Sequence, residues 1–325
     1  MLGRLTHIAA NTFVETVRQP IYAILLWVAA FWIGFVSPSL AAFTLEGGND
    51  RKIMIDVSLA TLLLYGLLTS VFSATGVISR EIESHTVLTV VSKPVSRTTF
   101  LLGKYCGVTG AVLLGYYFLC IVLLLAARHG VMETASDKFD LPVLVFGLGA
   151  VLVSLLVAAF GNYAYKWHFA TTQIGWTVAL GTIALVLVLV VSPQWKLQPP
   201  WTDFGDCQLL YATIATFGGV LILTAFAVAL ATRFSLIVTL LLCAGVYILG
   251  LLSDYYLGQR VEEGPLYRLL YAALPNFQFF WLGDPLTQEL TIPGQHVAML
   301  IGYAFVYALA VLALGVALFQ TREVG

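Results

Sequence analysis

The side chains of this sequence best placed to act together lie in one stretch, SREIESHTVLTVVSKPVSRTTFLLGK, from Ser79 to Lys104. Arg80, Glu81 and Glu83 open it, and Lys93, Arg97 and Lys104 close it. Ile82, Leu88 and Val91 thread an apolar stripe through its first half, with Thr86 among them, and Pro94 ends the run. Acids in a first helical turn suit the positive end of the helix dipole, and proline stops a helix because it has no N–H to donate. The pattern predicts a short amphipathic helix over Arg80–Val91, suited to insertion into a groove of another protein. Its chemistry is recognition rather than bond-making.

Bond-making chemistry finds no support elsewhere in the sequence. It contains no G-x-x-x-x-G-K-[ST] loop to cradle ATP phosphates, and the Gly103–Lys104 pair lacks both the upstream glycine and the Ser/Thr. No H-E-x-x-H and no C-x-x-C occurs. Cys106, Cys120 and Cys243 fall in apolar runs, and Cys207 stands outside them. The chain is therefore not read as an enzyme. It needs no cofactor of its own, and any ATP hydrolysis must come from a partner.

The elements that hold the charged stretch are apolar. Of the 325 residues 60% are hydrophobic and 10% charged, against roughly a quarter charged in soluble domains. Eight runs, at about 21–43, 56–78, 102–127, 141–163, 172–192, 209–231, 234–253 and 297–319, are long enough to cross a ~30 Å hydrocarbon core. The fold class expected is an all-α integral membrane protein, a single bundle of about eight transmembrane helices. With both termini on the inner side, inner segments carry nine basic and four acidic residues, and outer segments seven and thirteen. The basic excess points the termini inward, to the cytoplasm. The depths of the eight runs carry no Asp, Glu, Lys, Arg or His, which disfavours ion-driven carriers, proton pumps and intramembrane enzymes.

Three further segments stand out. Residues 1–19 form an amphipathic leader with Leu5, Ile8, Thr12, Phe13 and Thr16 on one half and Arg4, His7, Asn11, Glu15 and Arg18 on the other. It is expected to lie on the inner leaflet as an elbow helix, ended by Pro20. Residues 254–296 form the long outer segment, in which a short helix from Pro265 leads to Pro275–Asn276 and the rings Phe277, Phe279, Phe280 and Trp281. This segment is expected to lie flat or re-enter the membrane, with the four rings as an outer gate, or as an interfacial anchor. Gly103 and Gly107, at G-x-x-x-G spacing, are expected to serve helix packing.

The residues Arg80, Glu81, Glu83, Thr86, Ser92, Lys93, Pro94, Val95, Ser96, Arg97, Gly103 and Lys104 match a pattern of bacterial ABC-2-type permeases, the membrane subunits of ABC transporters. In wording the stretch resembles their cytoplasmic coupling region, with His85 standing where the family usually has glycine. The likeness extends to Ala231–Ser235, Leu274–Phe277 and Leu318–Glu323. It implies a permease of a prokaryotic inner membrane, working with two separate ATPase subunits that bind ATP and Mg²⁺. It also implies a second permease, identical or homologous. Arg80, Glu81, Ile82, Glu83, Thr86, Leu88, Pro94 and Arg97 are the expected ATPase contacts in the coupling region 80–97. Such permeases commonly have six spans, so the pair 141–163 and 172–192 reads as an insertion. Membrane lipids and an extracytoplasmic protein are further expected partners, nucleic acid is not, and a lipid-like or amphiphilic cargo suits the uncharged depths. The competing expectation is a non-transporting scaffold whose loop recruits a cytoplasmic protein.

Overall fold

Apolar runs in hydrocarbon satisfy their backbone groups internally, as helices or closed barrels, and here every expected span is a helix. The computed structural model describes residues 2–43, 50–83, 96–132, 137–205, 207–288 and 290–320. After α1 (Leu2–Val17) come α2 (Pro20–Ala42), α3 (Asp50–Glu83), α4 (Arg97–His129), α5 (Leu141–Tyr165), α6 (Phe169–Val190), α7 (Gln208–Ala231) and α8 (Leu236–Tyr256). The short α9 (Pro265–Ala273) and α10 (Gly283–Thr287) then lead to α11 (Gly294–Gln320). Among the described residues, α2 to α8 and α11 are eight helices long and apolar enough to cross a membrane. The protein is an all-α, multi-pass membrane bundle.

Local chemistry sets the helix ends. Pro20 opens α2 where its missing N–H costs nothing. Ser96 caps α4, its hydroxyl accepting from the Thr99 amide at 3.2 Å, and Asp140 caps α5 through the Val143 amide at 3.3 Å. Pro38 has no N–H for the turn before it, and α2 takes a π-type turn at Trp32–Val36 there. The division between α7 and α8 falls at residues 232–235, as expected from Arg233.

One expected boundary moves. Arg80, Glu81 and Glu83 do not open a new helix but continue α3, which runs unbroken from Asp50 to Glu83. Nothing between Ile78 and Glu83 is a glycine or proline that would break it. Thr86, Leu88 and Pro94, and the rest of the expected coupling helix, lie outside the described residues.

The core sits where α3, α4 and α7 meet, flanked by α2 and α11. Small residues let the backbones close on one another. Gly66 of α3 leaves room for Val220 of α7, and Gly315 of α11 lies against Ala229. Hydroxyls stitch this seam and its neighbours: Ser70 to Thr224 at 2.7 Å, Tyr116 donating to the Thr213 carbonyl at 2.8 Å, and Tyr22 to that of Ala111 at 2.7 Å. Outside this core α5 and α6 form a hairpin packed chiefly on itself, with Ser154 and Thr177 2.7 Å apart. Its turn places Lys166 in the left-handed region and lays the Trp167 ring over Gly161. The start of α4 and the end of α11 meet beside α1, on what we term the N-terminal face; the opposite end is the far face.

Candidate functional site

The charged stretch connects the end of α3 to Ser96 at the start of α4, so it joins two helices of the core. Around the start of α4 the N-terminal face is tightly tied. Arg97 donates to the carbonyls of Phe319 and of Gln320, the latter at 2.9 Å, and its guanidinium lies 5.2 Å from the Phe319 ring centre. Arg233, in the turn between α7 and α8, donates to the Leu318 carbonyl at 3.0 Å. Helix C-termini leave carbonyls without intrahelical partners and carry partial negative charge, so two guanidiniums there cap α11 doubly. Phe100 stacks on Phe319 at 5.9 Å, and the buried Lys104 places its ammonium 5.4 Å from the Phe100 ring. Arg97 thus holds α11, while the ends of Arg80–Glu83 continue the central helix α3.

The leader α1 belongs to this face. Gly103 meets Ile8, Gly107 meets Ala9 and Thr12, and Gly110 meets Phe13, so α1 runs beside α4 in the same sense for two turns. The small-residue stripe is the seat of α1. Thr12, Thr16 and Val17 are buried, whereas Arg4, His7, Asn11 and Arg18 are exposed. The two halves read from the sequence are the two faces of the helix.

On the far face the four aromatic rings divide. Phe277–Phe280 is a 3-10 turn, and its residues three apart point the same way. Phe277 and Phe280 are accordingly both buried, while Phe279 is exposed and Trp281 half-buried. Glycines receive the buried pair. A Cβ at Gly218 would come within 2.7 Å of the Phe280 ring, and one at Gly250 would collide with Phe277 and the Pro275 carbonyl. The turn is pinned by Asn276, whose side chain donates to Asp254 at 3.4 Å and to Tyr271 at 3.2 Å and accepts from the Gln278 amide at 3.0 Å. Tyr271 in turn donates to Asp254 at 2.8 Å; burial, then that hydrogen bond, raise its hydroxyl above the usual phenol range. Two of the four rings are keyed into the bundle, and the segment packs as a plug between α7, α8 and α11.

A further feature was not legible from the sequence. Between α4, α6 and α7, in the half of the bundle nearer the far face, lies a cavity of about 1280 Å³. Leu113, Tyr117, Leu185, Leu189, Thr213 and Phe217 are among the groups on its walls, and Arg51 and Lys52 stand at its far-face end. Its rim includes residues 200–205, fixed by an ion cluster. The buried Arg128 meets Asp140 at 3.0 Å and Asp203 at 3.2 Å and donates to the Val191 carbonyl at 2.5 Å. One guanidinium so ties the end of α4 to the start of α5 and to the strip after α6. Among the described residues no group of three or more His, Cys, Asp or Glu could hold a metal ion.

Comparison with known proteins returned no matching family model, no matching curated protein and no matching solved structure.

Proposed function

We propose that the chain is the membrane permease subunit of an ATP-driven exporter, or of a force-transmitting complex, of the ABC-2 type. One observation carries the reading: the charged stretch after Ser79 joins α3 to α4, both core helices, in a chain whose sequence has no ATP site. A partner that displaces this stretch acts on the core directly. In this reading the N-terminal face is cytoplasmic in a prokaryotic inner membrane, and two ATPase subunits bind there and hydrolyse Mg²⁺-ATP. A second permease completes the pathway. Arg80, Glu81 and Glu83 make the contact, and α1, seated on α4, moves with it. The cap that Arg97 and Arg233 place on α11 carries the motion from α4 to the last helix. Cargo is lipid-like or amphiphilic, or force is passed to an outer partner.

The test is co-purification with an ABC-type ATPase, followed by ATPase measurement in proteoliposomes. Glu81→Ala with Glu83→Ala removes charge-assisted contacts at a desolvated interface, a loss of about 2–5 kcal/mol. Retained ATPase and stimulated hydrolysis should both fall while the variant still inserts and elutes as wild type. A wild-type chain that binds the ATPase without altering its hydrolysis is the scaffold, not the permease.

A further inference from the structure

We infer that the cavity between α4, α6 and α7 is a binding site for one anionic phospholipid of the far-face leaflet. Size comes first. At about 1280 Å³ it exceeds the ~300–1,000 Å³ of pockets for drug-sized ligands. Its depth matches one leaflet. From Leu113 to Leu124, both on its wall, α4 rises about 17 Å at ~1.5 Å per residue, roughly half of a ~30 Å hydrocarbon core.

Polarity is graded along that depth. The deep wall is made of Leu113, Tyr117, Ile214 and Phe217, and the hydroxyls there are engaged: Tyr117 with Thr182 at 3.0 Å, Thr213 with the Leu210 carbonyl at 2.8 Å. At the far-face end stand Arg51 and Lys52, which among the described residues are the basic groups of the lining. Lys52 also reaches Asp284 at 3.6 Å, in an exposed pair of the kind worth little. Asp203 is the acid of the described lining, and Arg128 and Gln198 already hold it. An apolar slot one leaflet deep, with two cations at headgroup level, complements acyl chains under an anionic headgroup.

The wall formed by α6 belongs to the hairpin, which touches the remainder of the bundle lightly. Trp27 bonds Gln173 at 3.2 Å, Tyr117 bonds Thr182, and the Arg128 cluster closes the top. Lipid enters sideways between α6 and α7, beneath the strip that Arg128 fixes. The inference gives the hairpin a purpose that packing does not. It deepens the reading above, on which its meaning for transport rests; the binding itself does not depend on an ATPase.

Native mass spectrometry of the purified chain alone, titrated with phosphatidylglycerol or phosphatidylcholine, tests it. One phosphatidylglycerol should be retained preferentially. Arg51→Gln with Lys52→Gln should weaken that retention about thirtyfold, from two basic contacts at a headgroup. The control Arg260→Gln with Arg268→Gln, at bases that do not line the cavity, should leave it unchanged. Leu189→Trp should narrow the slot between α6 and α7 and weaken retention of either lipid, with elution as wild type showing that the chain is folded. Equal retention of both lipids, or phosphatidylglycerol binding that ignores Arg51 and Lys52, overturns the inference whether or not the chain couples to an ATPase. Loss of ATPase coupling with intact selective lipid binding would overturn the permease reading alone.

Discussion

Helices α5 and α7 look alike by hydropathy and live in different surroundings. The most apolar window of α5 averages 2.7 and that of α7 averages 2.3, yet 22% of the first is buried in the protein and 72% of the second. In lipid, apolarity does not drive one helix onto another, since the alternative is equally apolar; close fit and hydrogen bonds decide. The buried face of α7 accordingly sets the small residues Ala212, Ala215, Gly218 and Gly219 and the hydroxyls Thr213, Thr216 and Thr224 among Val220, Ile222 and Leu223. The surface of α5 shows Leu148, Leu152, Leu156 and Phe160 to its surroundings. Helix α3, at 61%, follows α7, and α6, at 33%, follows α5. The bundle is a tight core with a loosely joined hairpin, held by a few polar bonds and by the packing of Ile174 and Gly181 of α6 on the core.

Breaking the largest joint should have the largest effect. Arg128→Leu leaves Asp140 and Asp203 without their buried counter-charge, and loss of one member of such a pair costs about 3–5 kcal/mol. Thermal unfolding in detergent should shift down sharply, and proteolysis should first cut between α4 and α7. Overfilling the core comes next. Gly66→Leu drives a side chain into Val220, for about 1–3 kcal/mol, while Gly149→Leu in α5 meets open space and should leave the melting temperature unchanged. If the two glycine variants melt alike, the contrast between core and hairpin is wrong. A smaller loss is expected for Thr224→Val, which removes a hydroxyl pair inside the core; intramembrane bonds of this kind average ~0.6 kcal/mol. The smallest is Gln173→Leu, which unties Trp27 from the hairpin. It should leave global melting near wild type while speeding hydrogen exchange in α6 alone.

Spans were legible because hydropathy over some twenty residues is a strong signal, and the helix ends differ from the sequence reading by only a few residues, apart from the long α3. Faces were legible where polar groups mark them, as in α1, whose exposed Arg4, His7 and Arg18 oppose the buried Thr12 and Thr16. Contacts between distant segments were not. Gly103 and Gly107 announced a close approach, but nothing local says that Ile8 and Thr12 fill it. Arg97 read as one charge of a partner-facing stretch; its carbonyl partners lie more than two hundred residues away, at the end of α11. The four far-face rings read as one unit because the sequence shows their proximity and not the 3-10 turn that separates Phe277 and Phe280 from Phe279. The cavity arises from α4, α6 and α7, the start of α3 and a strip pinned by Arg128, and no single stretch encodes it.

In the function proposed above, a cytoplasmic ATPase grips the stretch joining α3 and α4. A photoactivatable phenylalanine analogue in place of Glu83, the last residue of α3, tests it in membranes that contain the co-expressed ATPase. The same analogue in place of Arg260, on the far face, is the control. Illumination should yield an adduct between the chain and the ATPase from position 83, strengthened by a non-hydrolysable ATP analogue, and none from position 260. No adduct from 83, or equal adducts from both positions, would contradict the coupling role.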